Sequence, residues 1–237
     1  VMTTGLRRKH TKRSIFFILA INPGATTTEI GYFNGLEEIW RKQINHSQDL
    51  LPDIISEQLS SRLEQISSYL ENNIKIDAIA ARGGPLKPIS SGVYKINDKI
   101  LSDYYSGIYA NHASNLGAMI ARQLNNEFDV PAFIVDPVTV DDFVDVARLS
   151  GVPNIERKSR SHALNINYCV RKAADDLKIR LEYSKFIVAH LGSGFSIAAI
   201  ESGKIIDVND DLLGMGPFSI ERAGALPING ILEEIYN

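Results

Sequence analysis

Residues 15–28 read IFFILAINPGATTT, and residues 186–200 read FIVAHLGSGFSIAAI. In both stretches an apolar run predicts a buried strand, and a short loop of small and hydroxyl-bearing residues follows it. A second strand comes next, then a turn, which is Asn34-Gly35 in the first copy and Glu201-Ser202-Gly203-Lys204 in the second, and then a third strand. The chain therefore repeats one device: three strands, with glycine and hydroxyl residues at the first junction.

The segment between the two copies alternates helices with strands. Apolar residues at helical spacing predict helices within 48–73, 111–125 and 162–178, and apolar runs predict strands over 74–81 and 132–135. This alternation predicts an α/β fold whose functional residues lie at the carboxyl ends of strands. Arg82 and Asp136 directly follow the two predicted strands.

Composition excludes several classes of protein. The 237 residues are 44% hydrophobic and 22% charged, which excludes a disordered chain, a collagen-like chain and a coiled coil. The 25 basic and 28 acidic residues give a net charge of −3, so no overall field favours nucleic acid or an anionic membrane. Cys169 is the single cysteine, which excludes an internal disulfide and a multi-cysteine zinc site. No apolar run approaches the roughly 20 residues of a membrane helix.

The N-terminal segment allows two interpretations. Residues 7–13 are basic and residues 15–21 are apolar, an order that also begins a secretory signal. The apolar run is short, however, and the loop Asn22-Pro23-Gly24 follows it in place of a small-residue cleavage site. We therefore interpret residues 1–14 as a flexible basic tail and the apolar run as a buried strand.

The two small-residue loops are candidates for binding phosphate. Facing each other, they could hold a polyphosphate between them through backbone N–H groups and hydroxyls. Neither loop matches a Walker phosphate loop, and Gly192-x-Gly194 lacks the third glycine of a dinucleotide fingerprint. On pattern alone, therefore, each loop is a weak signal.

Single residues near strand and helix ends are further candidates, each with a simpler alternative. Arg82 precedes two glycines and could reach an anion, or it could be a surface arginine at a strand end. Asp136 precedes a proline and could orient a nucleophile or a metal, or form a turn. His162 lies among cations at a helix start, and His190 ends an apolar strand; either could simply be structural. Arg222, like Arg82, is followed by small residues.

Seven motifs, taken in order, resemble the butyrate kinases of the acetate kinase family, which lies within the superfamily of actin-like ATPases and sugar kinases. The motifs are INPGATTT (21–28), RGG (82–84), NHASNLG (111–117), FIVDPV (133–138), SHALN (161–165), AHLGSG (189–194) and GPFSIER (216–222). The resemblance runs from about residue 15 to the C-terminus. It implies two actin-like (ribonuclease H-like) domains with the active site in the cleft between them, and it explains the repeated strands.

The resemblance also implies an activity: reversible transfer of the γ-phosphoryl group of ATP to butyrate or a similar short carboxylate. Arg82 and Arg222 match the two active-site arginines of the family, His162 the histidine that steadies the developing charge, and Asp136 the aspartate that helps to organise magnesium and substrate. Asn22, Thr26 and Thr27 belong to the first phosphate loop, and His190, Gly192, Ser193 and Gly194 to the second. The implied cofactors are ATP/ADP and Mg²⁺, with Asn22 and Asp136 near the metal. A cytoplasmic location and a homo-oligomer, with no nucleic acid or membrane partner, are also expected.

Three departures from the family pattern affect these expectations. The first loop has Ala25 in place of a hydroxyl residue and Glu29 in place of a lysine, and Ser161 replaces an aromatic residue beside the histidine. The chain also stops at Asn237, where relatives continue, so the second domain is expected to be incomplete. We expect a tail over 1–14, a first domain over 15–160 and the start of a second over 161–237. The alternatives are an inactive remnant that binds a ligand or pairs with a subunit, and a kinase for another short acid such as acetate or a branched-chain acid.

Overall fold

A computed structural model of the protein describes residues 16–47, 51–70, 73–210 and 215–236. The basic N-terminal segment therefore lies outside the described residues. Two sheets organise the described part of the chain. The first contains six strands in the order β3-β2-β1-β4-β6-β5: β1 (Phe17–Pro23), β2 (Thr27–Asn34), β3 (Glu37–Asn45), β4 (Ala78–Arg82), β5 (Val93–Lys95) and β6 (Ala132–Val135).

The first predicted repeat is an antiparallel meander. β1 pairs with β2 and β2 with β3. Gly35 forms the turn between β2 and β3 with a φ of 63°, a left-handed conformation that glycine adopts readily. Loop 23–27 of this meander is the first candidate phosphate loop.

The centre of the first sheet is parallel and sets the position of the site. β1 pairs with β4, with Ile21 opposite Ala81, and β4 pairs with β6, with Arg82 opposite Val135. Parallel neighbours present their carboxyl ends at one edge, with about 4.8 Å between strands. This edge therefore carries Asn22, Arg82 and Asp136, as the sequence predicts.

In the described ranges, five α-helices accompany the strands: α1 (Leu59–Ser67), α2 (Asp98–Ser106), α3 (Asn115–Phe128), α4 (Ala163–Leu177) and α5 (Ile228–Tyr236). α3 packs against β1, β4 and β6 and contributes Leu116, Ile120 and Leu124, all fully buried, to the core of the first sheet. Within the segment 48–73, where a helix was predicted, the described residues form α1, preceded by a 3-10 turn over Ile55–Gln58. The strand predicted over 74–81 begins only at Ala78.

The second predicted repeat forms a separate three-stranded antiparallel sheet from β7 (Lys185–Leu191), β8 (Phe195–Glu201) and β9 (Lys204–Val208). α4 covers it, with Ile166 and Val170 packed among Ala198 and Ile200. The same apolar cluster includes Val140, Phe143 and Ala147, so residues that precede α4 also pack with this sheet. The domain boundary at 160 stays a prediction. Among the described helices, none is long and apolar enough to cross a membrane.

Candidate active site

Close packing between α3 and the end of β4 positions Arg82. A Cβ atom at Gly117 would stand 2.3 Å from the carbonyl oxygen of Arg82, and one at Gly84 would stand 2.1 Å from Oδ1 of Asn115. Both distances are far below van der Waals contact, so only glycine allows this approach. Gly117 thus allows α3 to approach the Arg82 carbonyl, and Gly84, two residues after Arg82, allows the chain to approach the first turn of α3.

A pocket next to Arg82 brings together residues that are distant in the sequence. Its lining combines cationic, imidazole, hydroxyl and apolar side chains: Arg82, Pro85, His112, Val138, Ser161, His162 and Arg222. No described aspartate or glutamate lines it. A recess with two guanidinium groups and no lining carboxylate is suited to an anion.

The Arg82 side chain is half-buried, and burial lowers the pKa of its guanidinium. Within the described residues, no group accepts a hydrogen bond from it and no carboxylate pairs with it. Burying a charge without a partner costs several kcal/mol in general. The geometry therefore favours an anionic ligand as the partner of Arg82.

His162, which precedes α4, is held by Ser196. Its Nδ1 atom lies 2.9 Å from Ser196 Oγ, and that oxygen also accepts a bond from the His162 backbone N–H at 3.3 Å. With Ser196 Oγ accepting from the backbone, its hydroxyl proton is available for Nδ1, which fits a neutral ring protonated at Nε2. Burial, then His190 and the two arginines, lower the pKa of His162 to about 4. His162 is therefore neutral at pH 7.

His112 has a similar setting, although the sequence analysis gave it no role. Its Nδ1 atom accepts a bond from the Ser114 backbone N–H at 3.2 Å. Burial, followed by Arg82 and Arg222, lowers its pKa. The sequence did contain a sign of this residue, because His112 is the second residue of the motif NHASNLG, which leads into α3.

The second loop and Arg222 are joined by hydrogen bonds. The carbonyl oxygen of Ser193 accepts from Ser219 Oγ at 2.6 Å and from the Glu221 backbone N–H at 3.2 Å. These bonds anchor the turn that carries Arg222 to the loop that contains Gly192, Ser193 and Gly194.

His190 lies between this loop and the pocket. Its ring stacks on His162 with centroids 3.9 Å apart, and Asn165 Nδ2 donates to its Nδ1 atom at 2.7 Å. The second loop is thereby connected to the pocket through a pair of stacked imidazoles.

Asp136 does not line the pocket, although it follows β6 at the same sheet edge. Its φ is 38°, and its buried Oδ1 atom accepts a bond from the Gly92 backbone N–H at 2.7 Å. Oδ2 is buried too and accepts no hydrogen bond from the described residues; Arg171 Nη2 lies 3.6 Å away. An oriented, incompletely satisfied carboxylate oxygen of this kind is suited to a cation or to a bound water.

The first loop exposes Thr26 and turns the Thr27 carbonyl inward, where it accepts a bond from the Gly24 N–H at 2.7 Å. Asn22 is exposed at the end of β1. Glu29 pairs with Arg41 of β3 at 3.1 Å, so an arginine on the neighbouring strand offsets its charge.

The structure thus brings three of the four candidate catalytic residues, Arg82, His162 and Arg222, into one pocket and leaves Asp136 beside it. Pro85, Val138 and Ser161 also line the pocket, although the sequence analysis assigned a role to none of them; Val138 and Ser161 lie at the ends of the motifs FIVDPV and SHALN, and tertiary packing brings them together. Ser161 is buried, and its Oγ atom has no hydrogen-bond partner among the described residues, which leaves a hydroxyl available to a ligand.

Comparison with known proteins shows which family and which relatives the chain resembles. The acetokinase family matches residues 154–221. A probable butyrate kinase 2 from Caldanaerobacter subterraneus subsp. tengcongensis is 44% identical over 229 residues, and a probable butyrate kinase from Listeria monocytogenes is 40% identical over 228 residues. Each alignment covers 94% of this chain and 64% of the relative, so the chain spans about two thirds of the length of these relatives.

Solved structures agree in fold. A propionate kinase from Francisella tularensis superposes with a TM-score of 0.70 at 22% identity, covering 94% of this chain and 65% of its own. The acetate kinase of Porphyromonas gingivalis gives 0.68 at 17% identity, covering 93% and 64%. The predicted α/β fold is therefore confirmed: the chain has the fold of these kinases, and its residues 154–221 match the acetokinase family.

Proposed function

We propose that this chain takes part in reversible phosphoryl transfer between ATP and butyrate or a similar short carboxylate. The observation that carries the proposal is the pocket between Arg82 and Arg222, which has two cations, no lining carboxylate and two apolar residues, Pro85 and Val138. Such a lining suits an anion with a short hydrocarbon tail. Relatives named as probable butyrate kinases support this choice of acid.

The chemistry suits the residues. A carboxylate is already ionised at pH 7, so it needs no general base before its oxygen attacks the γ-phosphorus. The new P–O bond forms as the bond to the β-phosphate oxygen breaks, and ADP leaves with that electron pair. The requirements are alignment of the two reactants and neutralisation of charge on the transferred group. Arg82 and Arg222 supply bidentate donors, and neutral His162 adds an N–H donor.

Residues at the sheet edge fit a magnesium ion. The buried Oδ2 atom of Asp136 accepts no hydrogen bond within the described chain, and the exposed amide of Asn22 ends the neighbouring β1–β4 pair. No group of three or more His, Cys, Asp or Glu side chains in the described part could hold a metal. Mg²⁺ usually takes one or two protein carboxylates and completes its shell with phosphate and water. When bound, Mg²⁺ would neutralise charge on the phosphates.

The second loop and the first loop are proposed to hold the phosphates of ATP through Thr26, Thr27, Gly192, Ser193 and Gly194. The hydrogen bonds that Ser219 and Glu221, close to Arg222 in the chain, donate to the Ser193 carbonyl support this, because phosphate binding at the loop and anion binding in the pocket would then be coupled. The cytoplasmic location and the homo-oligomeric assembly expected from the sequence stay predictions.

A hydroxamate assay tests the proposal. The chain is incubated with ATP, Mg²⁺ and one acid at a time, and hydroxylamine traps any acyl phosphate as a coloured hydroxamate. We expect product with butyrate and less with acetate or a branched acid. If no acid gives product, but calorimetry detects binding of ATP or butyrate, the alternative of an inactive ligand-binding remnant is favoured. Stronger product with acetate would favour a kinase for another short acid.

A further inference from the structure

Arg62, in the middle of α1, is a fully buried arginine that the functional site described above does not include. Within the described residues no carboxylate pairs with it, and its acceptors are carbonyl, amide and hydroxyl oxygens. All three of its nitrogen atoms donate hydrogen bonds. Nε and Nη2 donate to Gln58 Oε1, and Nη2 also donates to the Ala25 carbonyl at 2.8 Å. Nη1 donates to the carbonyls of Gly24 and Thr27 and to the hydroxyl of Thr28 at 2.9–3.1 Å.

Arg62 thereby orders the first phosphate loop. Arg62 donates to the carbonyls of Gly24, Ala25 and Thr27. The backbone N–H of His46 donates to the carbonyl of Thr26 at 2.8 Å. Four consecutive carbonyls therefore accept bonds from the inner side of the loop. Ala25 and Thr26 are exposed on the outer side of the loop. The partial negative charge of the carbonyl oxygens is directed away from this side. A loop with its carbonyls turned inward favours an anion on its outer side.

The charge of Arg62 is not cancelled locally. His46 lies next in the network, with its Nε2 atom 2.8 Å from Thr28 Oγ1. Burial first, and then the charge of Arg62, lower the pKa of His46, so this ring is neutral near pH 7. Glu29, which follows the loop in sequence, pairs with Arg41 on the exposed side of β3 instead, and Glu64, the acidic residue nearest to Arg62 in sequence, is exposed. A cation buried behind dipoles alone leaves a positive field beneath the loop, where solvent screens it weakly.

We propose that Arg62 is a positioning residue for the polyphosphate of the nucleotide: it fixes the first loop with its carbonyls turned away from the phosphates and supplies an uncompensated positive charge behind them. The inference rests on the proposed function, because it assumes that loop 23–27 contacts the phosphates. Arg62 would thereby place a positive charge behind the loop. The loop itself lacks such a charge, because the sequence has Glu29 in place of a lysine.

The test compares the affinities of the chain for AMP, ADP and ATP by calorimetry in magnesium buffer, with the variants Arg62→Gln and Arg62→Lys. Arg62→Gln should weaken ATP binding by about 10- to 100-fold, the scale of lost outer-shell partners at other charged sites. The loss should be smaller for ADP and less than about threefold for AMP, because the interaction grows with the number of negative charges near the loop. Arg62→Lys keeps the charge but not the fork, so it should restore part of the ATP affinity.

Arg122→Gln is the matched control, because Arg122 lies on α3 and pairs with exposed Asp98, away from both loops. It should bind all three nucleotides like the unmodified chain. A merely structural role of Arg62 would weaken the three nucleotides by one common factor, and that result would overturn the inference.

The remaining outcomes are also decisive. If circular dichroism shows that both Arg62 variants fail to fold, Arg62 is a structural residue and the inference is wrong. Unchanged affinity for ATP in the folded variants would contradict the inference alone. If the unmodified chain binds neither ATP nor inorganic pyrophosphate, the proposed function fails, and the inference fails with it.

Discussion

His162 is the residue whose charge state depends most on the pocket around it. Its pKa in the folded protein is about 4, whereas an unfolded histidine titrates near 6.5. Between these values the unfolded chain binds a proton that the folded chain does not, so the free energy of unfolding falls as the pH drops from about 6.5 towards about 4. The stability that neutral His162 contributes is therefore complete above this window.

Replacing His162 should remove part of that pH dependence. For His162→Asn we expect a shallower rise in the free energy of unfolding between about pH 4 and 6.5 than in the unmodified chain, measured by urea unfolding at several pH values. Some slope should remain, because burial also lowers the pKa values of His46 and His112. An unchanged slope would show that His162 is solvated and that the fold does not lower its pKa.

At the scale of single residues, the sequence could predict the amino acids that end strands but not the contacts that define their chemistry. Arg82 and Asp136 were found because each follows an apolar run. The positive φ of Asp136, the Ser196 partner of His162 and the burial of Arg62 depend on residues at least 34 positions away, or on backbone geometry that no local pattern encodes.

At the scale of elements, the approach of α3 to β4 is the contact that the site depends on most. Gly117→Ala would place a methyl carbon 2.3 Å from the carbonyl oxygen of Arg82. This clash should destabilise the fold by about 1–3 kcal/mol, as overpacking generally does. Because the strain falls on Arg82, binding of butyrate should also weaken. Urea unfolding and calorimetry measure the two effects.

Gly230→Ala is the matched control for that change. Gly230 also lies in a helix, α5, but a Cβ atom there would meet nothing within 4 Å. Alanine should raise stability at this position by about 0.5–1 kcal/mol, since it lowers the entropy of the unfolded helix segment. A Gly117→Ala variant as stable as Gly230→Ala would show that α3 and β4 are not held in this approach.

The two meanders, the central strands and α4 could be predicted because each has a strong apolar period bounded by turn residues. β5 was missed because three residues are too short for a period. α2 was missed although it has boundary signals: Asn97 caps its N-terminus by accepting from the Ile100 N–H at 2.9 Å, and Gly107 ends it with a φ of 61°.

At the scale of the whole molecule, one face of the second sheet is open in the described chain. Along β7, Phe186 and Val188 pack on the core, while Ile187 and Leu191 point the other way and are 76% and 66% exposed. Neighbouring exposed aliphatic side chains form a surface that binds apolar molecules.

We expect the chain to bind a fluorescent hydrophobic dye, and Ile187→Ser to reduce that fluorescence while leaving the melting temperature nearly unchanged. Val146→Ser is the control, because Val146 is similarly exposed, at 74%, but does not lie in this sheet. Equal loss of fluorescence in both variants would mean that the dye does not bind this face.

We propose that Arg82 and Arg222 hold the carboxylate and the transferred phosphoryl group in line. The most direct measurement is the rate of ATP formation from ADP and butanoyl phosphate, followed by luciferase light, for the unmodified chain and the variants Arg82→Lys, Arg222→Lys and Arg122→Lys. Lysine keeps the charge but lacks the bidentate fork, so each of the first two variants should lose about two orders of magnitude or more in rate, while Arg122→Lys and the circular dichroism of all variants stay unchanged. Near-parental turnover in a folded Arg82→Lys or Arg222→Lys variant would show that this arginine does not hold the transferred group.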